Sequence, residues 1–295
     1  MFEIFGIPSN ALFSQLLIGL INGSFYALLS LGLAVIFGML NIINFTHGAQ
    51  YMMGAFAAFL LLNNTGLGYW GALIVAPILV GIFGIIIERT MLQWLYKLDH
   101  LYGLLLTFGL ALIIEGIARN YYGSAGLPYA MPEALVGGYD LGFMRLPIYR
   151  AWVVVASLTI CLGTWFVIER TRLGANLRAA TENPTLVRAF GINVPRMITL
   201  TYGFGVALAA FAGVMAAPIY NVSPQMGSDL IIVVFAVVVI GGMGSIMGAI
   251  VTGFGLGVIE GLTKVFFPEA SNTVIFVIMA IVLLIRPAGL FGRTV

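Results

Sequence analysis

Two histidines, one cysteine and eleven carboxylates are nearly all that this chain of 295 residues offers for chemistry. His47 has only His100 besides it, so no metal-ligand set forms, because a zinc site takes at least three protein ligands. Cys161 lies alone inside an apolar run, which leaves no internal disulfide or cysteine cluster. Three carboxylates stand next to basic residues at span ends: Glu88 beside Arg89, Glu115 four before Arg119, and Glu260 four before Lys264. At those spacings they read as helical ion pairs near an interface. Asp229 suits the N-terminus of a helix. No carboxylate is expected midway along an apolar run, which counts against proton or sodium coupling. Nor do His, Asp, Glu, Ser and Cys converge at one depth, so a membrane enzyme is the least favoured class.

What remains is recognition. The stretch Glu169–Arg196, ERTRLGANLRAATENPTLVRAFGINVPR, holds Arg170, Arg172, Arg178, Arg188 and Arg196, five of the 13 Lys and Arg. Thr171–Gly174 leaves the apolar phase. Ala175–Phe190 is helix-competent, with Arg178 and Glu182 four apart, and Asn183-Pro184 opens a second short helix. Gly191 ends that helix, and Pro195 precedes the next apolar run. A plain connection needs only a few residues. This one also carries Leu177, Leu186, Val187 and Phe190, apolar groups that call for a partner. It reads as a docking handle for a soluble protein rather than a solvated loop.

Two weaker polar features interrupt the apolar runs. The break from Asn41 to Gln50 contains Asn41, Asn44, Thr46, His47 and Gln50. One reading is an irregular segment lining a solute route, with the free N–H groups of the next helix turned toward it; at membrane depth such backbone persists only where protein or water satisfies it. The other is an ordinary hairpin whose Asn and Thr cap the following helix. The second feature, Gly241-Gly242-Met243-Gly244-Ser245 followed by Gly248, lacks the Gly-Lys-Ser/Thr ending of a phosphate loop. It reads as close helix packing.

The elements that must position these residues are membrane helices. Hydrophobic residues make up 61% of the chain and charged residues 8%, against about a quarter charged in a soluble domain. The fold class is therefore an all-α polytopic membrane protein of about 8–10 transmembrane segments, short or broken helices included. The expected spans are Leu12–Gly38, Gly48–Leu62, Tyr69–Ile87, Tyr102–Ala118, Ala151–Ile168, Met197–Ala217, Asp229–Ile240, Ser245–Lys264 and Thr273–Ile285, the second and seventh being short. Basic loops favour the cytoplasm. Placing Glu169–Arg196 inside puts Arg89, Lys97, Arg286 and Arg293 inside too. It leaves the N-terminus and the loop Asn120–Arg150 outside, with Arg145 and Arg150 as the one exception. No basic region precedes the first apolar run, so no cleaved signal peptide is expected. The chain reads as a single transmembrane domain, residues 1–295, with weakly similar halves 1–168 and 197–295 joined by 169–196. Leu33-Ala34, Gly38 and Gln50 recur at one offset as Leu208-Ala209, Gly213 and Gln225, the pattern of an inverted repeat, which makes Gln225 a further candidate for the solute route.

Three ordered motifs then carry a resemblance. NxxNFTHGAQYMxGAF (Asn41–Phe56), RLGxxxRAxxENPxLxxxxGINVxR (Arg172–Arg196) and GGMGSIMGAIVTGFGLGVIE (Gly241–Glu260) resemble the LivH-type permease of branched-chain amino acid ABC transporters. The likeness covers essentially the whole chain. It implies a multi-pass importer subunit of a bacterial or archaeal inner membrane that is not itself an enzyme. It also implies a LivM-like second permease, two cytoplasmic ATPase subunits that bind ATP and Mg, and a periplasmic binding protein, with no cofactor in this chain and no nucleic acid. Under the resemblance Ala175–Phe190 is the ATPase-coupling segment, with Arg172, Gly174, Arg178, Glu182, Asn183, Leu186, Arg188, Phe190 and Gly191 as its residues. The family's solutes include Leu, Ile and Val, but also urea, short amides and aromatic acids. One departure is the segment Gly227–Phe235, more uniformly aliphatic than the family pattern.

Overall fold

The computed structural model describes residues 3–4, 7–40, 42–96 and 98–292. Asn41, a candidate for the solute route, lies outside them, as do the basic residues Lys97 and Arg293. Among the described residues eleven α-helices follow one another: α1 (Ser9–Leu40), α2 (Thr46–Thr65), α3 (Tyr69–Thr90), α4 (His100–Tyr122), α5 (Ile148–Arg170), α6 (Arg172–Glu182), α7 (Pro184–Ala189), α8 (Val194–Tyr220), α9 (Ser228–Gly241), α10 (Ile246–Phe266) and α11 (Val274–Ile285). Helices α1, α4, α5, α8, α10 and α3 with the turn after it, six in all, are long and apolar enough to cross a membrane. The chain is an all-α polytopic membrane protein.

Most helices run two to four residues beyond their expected ends, and for one of them this changes its class. The second span, expected as a short Gly48–Leu62, is a 20-residue helix running from Thr46 to Thr65. Neutral His47, Gln50 and Asn63 at its ends disguise that length in the hydropathy pattern. Gly66 stops it in the left-handed conformation at φ 71°, giving its N–H to the carbonyls of the last turn. The ninth helix stays short, at 14 residues. Between α4 and α5 the chain forms a small antiparallel hairpin, Gly138–Asp140 against Arg145–Pro147, and Leu127 bridges to Val222.

Small residues set how the helices meet. Helix α1 packs along α10, and α3 and α2 pack along α8. At the α2–α8 crossing a Cβ on Gly54 would strike the Ala210 backbone, and one on Gly213 would strike the Tyr51 carbonyl. With no hydrophobic drive between helices in lipid, this close backbone approach supplies the packing contacts. The apolar window of α1 is 78% buried within the chain and that of α4 only 11%. Helices α1 and α8 are therefore the centre of the bundle, and α4 turns Leu101, Leu105 and Leu112 outward.

Candidate functional site: a docking handle and a polar core

The segment after α5 is built, not loose. Gly174 is buried where α6 folds back on α5, and a Cβ there would collide with the Ile168 carbonyl. Only glycine permits that reversal. Arg178 closes it: its Nη1 donates to the Ile168 carbonyl at 2.7 Å and faces Glu169 Oε2 at 3.4 Å. A cation on the open carbonyls of a helix C-terminus is favourable. Arg178 thus pairs with Glu169 rather than with Glu182, the carboxylate four residues on; the reversal brings the end of α5 within its reach. Asn183 accepts the Leu186 N–H at 3.0 Å and caps α7, with Pro184 in its first turn. Gly191, at φ 80°, gives its N–H to the Arg188 carbonyl at 2.9 Å.

Sequence reading treats Leu177, Leu186, Val187 and Phe190 alike, and the structure divides them. Leu177 and Val187 are buried, the latter packing in a small core with Ala180 and Val194, because α6 and α7 fold over the start of α8. Leu186 is 55% and Phe190 77% exposed, joined by Leu173 at 53%. Arg172, Glu182 and Arg188 are exposed around them. The result is an ordered, basic surface with protruding apolar side chains.

The first polar break lies in the interior. Asn44, Thr46, His47 and Gln50 are all buried. Asn44 Nδ2 donates to Gln50 Oε1 at 3.3 Å and to the Tyr202 hydroxyl at 3.2 Å, and Gln50 Nε2 donates to the same hydroxyl at 3.4 Å. Thr46 Oγ1 donates to the Thr107 carbonyl at 2.8 Å, while Thr107 Oγ1 accepts the Phe45 N–H and donates to the Ile43 carbonyl. His47 Nε2 lies 3.0 Å from the Leu29 carbonyl. No side chain caps the start of α2, so Asn44 and Thr46 spend their polar groups on α8 and α4. Asn44 Oδ1 and His47 Nδ1 have no hydrogen-bond partner among the described residues. Gln225 is not brought to this cluster; it sits in the α8–α9 turn, where its carbonyl accepts from Ser228 and Asp229. Sequence reading misses Tyr202 and Thr107, whose only signal is a lone hydroxyl in an apolar run.

Two carboxylates are more buried than expected. Glu88 is 2% exposed and forms no ion pair with Arg89; adjacent helix residues point apart. It accepts instead from the hydroxyls of Tyr96 at 2.5 Å and Thr199 at 2.7 Å. Burial, together with Glu88, raises the Tyr96 phenol above its ordinary value, which keeps it a donor. Glu115 and Arg119 pair as expected at 2.6 Å. Glu260 pairs with Lys264 and also accepts from the Tyr26 hydroxyl at 2.7 Å. The glycine break joins α9 to α10 through Gly242 at φ 100° and Gly244 at φ 82°, conformations that favour glycine. Gly241 and Gly248 touch backbone to backbone, and Ser245 caps α10 by accepting the Gly248 N–H at 3.1 Å. No cluster of metal-binding side chains forms among the described residues.

The structure is a bundle of apolar helices with an ordered basic segment between α5 and α8. The chain belongs to the family described as the branched-chain amino acid transport system permease component, whose model matches residues 15–283. It is 32% identical to the high-affinity branched-chain amino acid transport system permease protein BraD of Pseudomonas aeruginosa, over 95% of each chain. It is 29% identical to the permease protein LivH of Escherichia coli, again over 95% of each. The Escherichia coli permease protein LivM is 28% identical over 91% of this chain and 68% of its own length.

Proposed function

We propose that this chain passes branched-chain or similarly hydrophobic amino acids through a bacterial or archaeal inner membrane as one permease of an ATP-driven importer. A LivM-like permease stands beside it, two ATPase subunits lie beneath it and hydrolyse ATP, and a periplasmic binding protein delivers the solute. The likeness of the chain to both LivH and LivM supports such a pair. The N-terminus and the α4–α5 loop face the periplasm, and α6, α7 and the C-terminus face the cytoplasm; the arginines of 169–196 support that orientation. The same permease architecture serves urea, short amides or aromatic acids in the alternative reading, which the aliphatic run of α9 keeps in view.

The observation that carries the coupling role is the exposure of the large apolar side chains Leu173, Leu186 and Phe190 on a segment whose Leu177 and Val187 are buried. These side chains dock on an ATPase, and α8 conveys the motion inward because Val194 packs with Val187. Asn44, Thr46, His47 and Gln50 meet the solute route when the α1–α2 break opens. The unpartnered Asn44 Oδ1 and His47 Nδ1 support this, since buried acceptors without partners are rare. An internal inverted repeat relates residues 1–168 to residues 197–295. It is supported by reciprocal packing, α1 on α10 answering α8 on α3. The packing glycines Gly241, Gly242, Gly244 and Gly248 hold the α9–α10 turn and contact no solute.

Phe190→Asp tests the reading. The side chain is 77% exposed, so the variant inserts and folds, but the ATPase no longer co-purifies with it. Normal assembly and ATP-driven uptake by this variant overturn the docking role.

A further inference from the structure

A cavity of about 360 Å³ opens between α1, α2, α8 and α9. It lies at the end of the bundle away from α6 and α7: Val194 adjoins that segment, and Tyr220, which lines the cavity, ends the same 27-residue helix roughly 40 Å away. The volume falls within the range of small-molecule sites, about 300–1,000 Å³.

Its walls are aromatic: Phe25, Tyr26, Tyr51 and Tyr220. Two of these rings have their hydroxyls engaged elsewhere. Tyr26 donates to Glu260, and Tyr220 donates to Asn22 Oδ1 at 3.1 Å. The Phe25 and Tyr220 rings meet edge to face with centroids 5.6 Å apart. These rings therefore offer mainly carbon to a guest. Two other lining groups lack partners. Tyr51 is 1% exposed, and its hydroxyl makes no hydrogen bond among the described residues. Asp229, in the first turn of α9, makes no ion pair among the described residues. The Tyr51 hydroxyl is not among the fully enclosed polar atoms that lack a partner, so it faces the cavity as a free donor, and a carboxylate beside aromatic faces attracts a cation.

A hydroxyl donor, a carboxylate and an apolar wall complement one kind of guest. We propose that this cavity receives a small zwitterionic amino acid, with Asp229 taking the ammonium group, the Tyr51 hydroxyl the carboxylate, and the aromatic wall an apolar side chain. The assignment rests on the reading of the chain as an amino acid permease. The cavity is closed at its inner end. The crevice that shares Tyr51 and Leu230 with it and reaches His47 is too narrow for a water molecule. There α2 and α9 touch at Gly48 and Gly227, each occupying the space of the other's absent Cβ. That glycine contact is the seal between the accepting cavity and the polar core.

The test uses the whole importer, with its ATPases and binding protein, in proteoliposomes and with leucine as solute. Asp229→Asn and Tyr51→Phe each lower leucine uptake roughly tenfold or more, the loss expected for one hydrogen bond to a charged group, while assembly and the thermal midpoint hold. Tyr51→Phe keeps the ring, so it decides the matter should Asp229→Asn fail to assemble. Wild-type rates in the assembled variants overturn the cavity assignment and leave the function standing. A wild-type importer that carries urea or a short amide but no amino acid overturns the function, and the cavity assignment falls with it.

Discussion

Asn44 touches two partners and leaves one oxygen free, so its replacement separates two roles. Asn44→Leu strips a donor from Gln50 and Tyr202 and fills the break with carbon. If the group meets the solute, uptake falls while the importer still assembles and hydrolyses ATP. If it only holds the break closed, the thermal midpoint falls by the equivalent of about 1–3 kcal/mol and assembly declines with it. A stable, fully active Asn44→Leu/Gln50→Leu double variant excludes both roles. Single residues are also where sequence reading reaches least far. Arg178 has Glu182 within one helical turn, yet its partners are the Ile168 carbonyl and Glu169, which only the reversal at Gly174 brings near. Glu88 has a basic neighbour in sequence and two hydroxyl neighbours in space. Pair spacing describes one helix; these contacts arise between elements.

Elements are more legible, because their signals are local. Asn183-Pro184 and Gly191 mark both ends of α7 from composition alone, and the structure uses them so. The small hairpin before α5 is not legible, since three-residue strands have too short an alternation to register. The glycines give a prediction at this scale, because not all of them matter. Gly213→Leu drives a side chain into the Tyr51 backbone at the α2–α8 crossing. It is expected to destabilise the protein by about 3 kcal/mol or more, beyond ordinary overpacking, because backbone cannot yield as a side chain does. Gly163, in α5, has nothing within 4 Å of its would-be Cβ. There Gly163→Ala is expected to be neutral or to stabilise by about 0.5–1 kcal/mol through helix propensity. Thermal midpoints of the two variants in one detergent check the contrast, and equal effects would show that the crossing is not backbone-limited.

At the scale of the molecule, orientation fixes how the parts cooperate. With α6 and α7 in the cytoplasm, single cysteines introduced into a Cys161→Ala background label with an impermeant thiol reagent in the α4–α5 loop and not in Ala175–Phe190. Labelling of the latter in intact cells reverses the topology. The energetic demand on that arrangement is definite. Moving a two-state permease from 1:99 to 99:1 needs about 5.5 kcal/mol of differential binding, and an ordered handle transmits it without first spending energy on its own folding. Membrane class and the apolar helices are legible in the sequence because lipid imposes length and polarity on every span, and the second short helix of 169–196 is legible from its cap residues. The cavity is not, since its walls come from four helices distant in the chain.

The unequal burial of the helices has a consequence for how such a chain changes over generations. Helix α8 meets α1, α2 and α3 at once, so a substitution along it must satisfy three neighbours together, and compensating changes must arise in concert. Helix α4 answers to few neighbours within its own chain. Substitutions along α4 are therefore expected to be accepted singly, and those along α8 only with matching changes in its neighbours. Evolutionary freedom is arranged from the outside of the bundle inward.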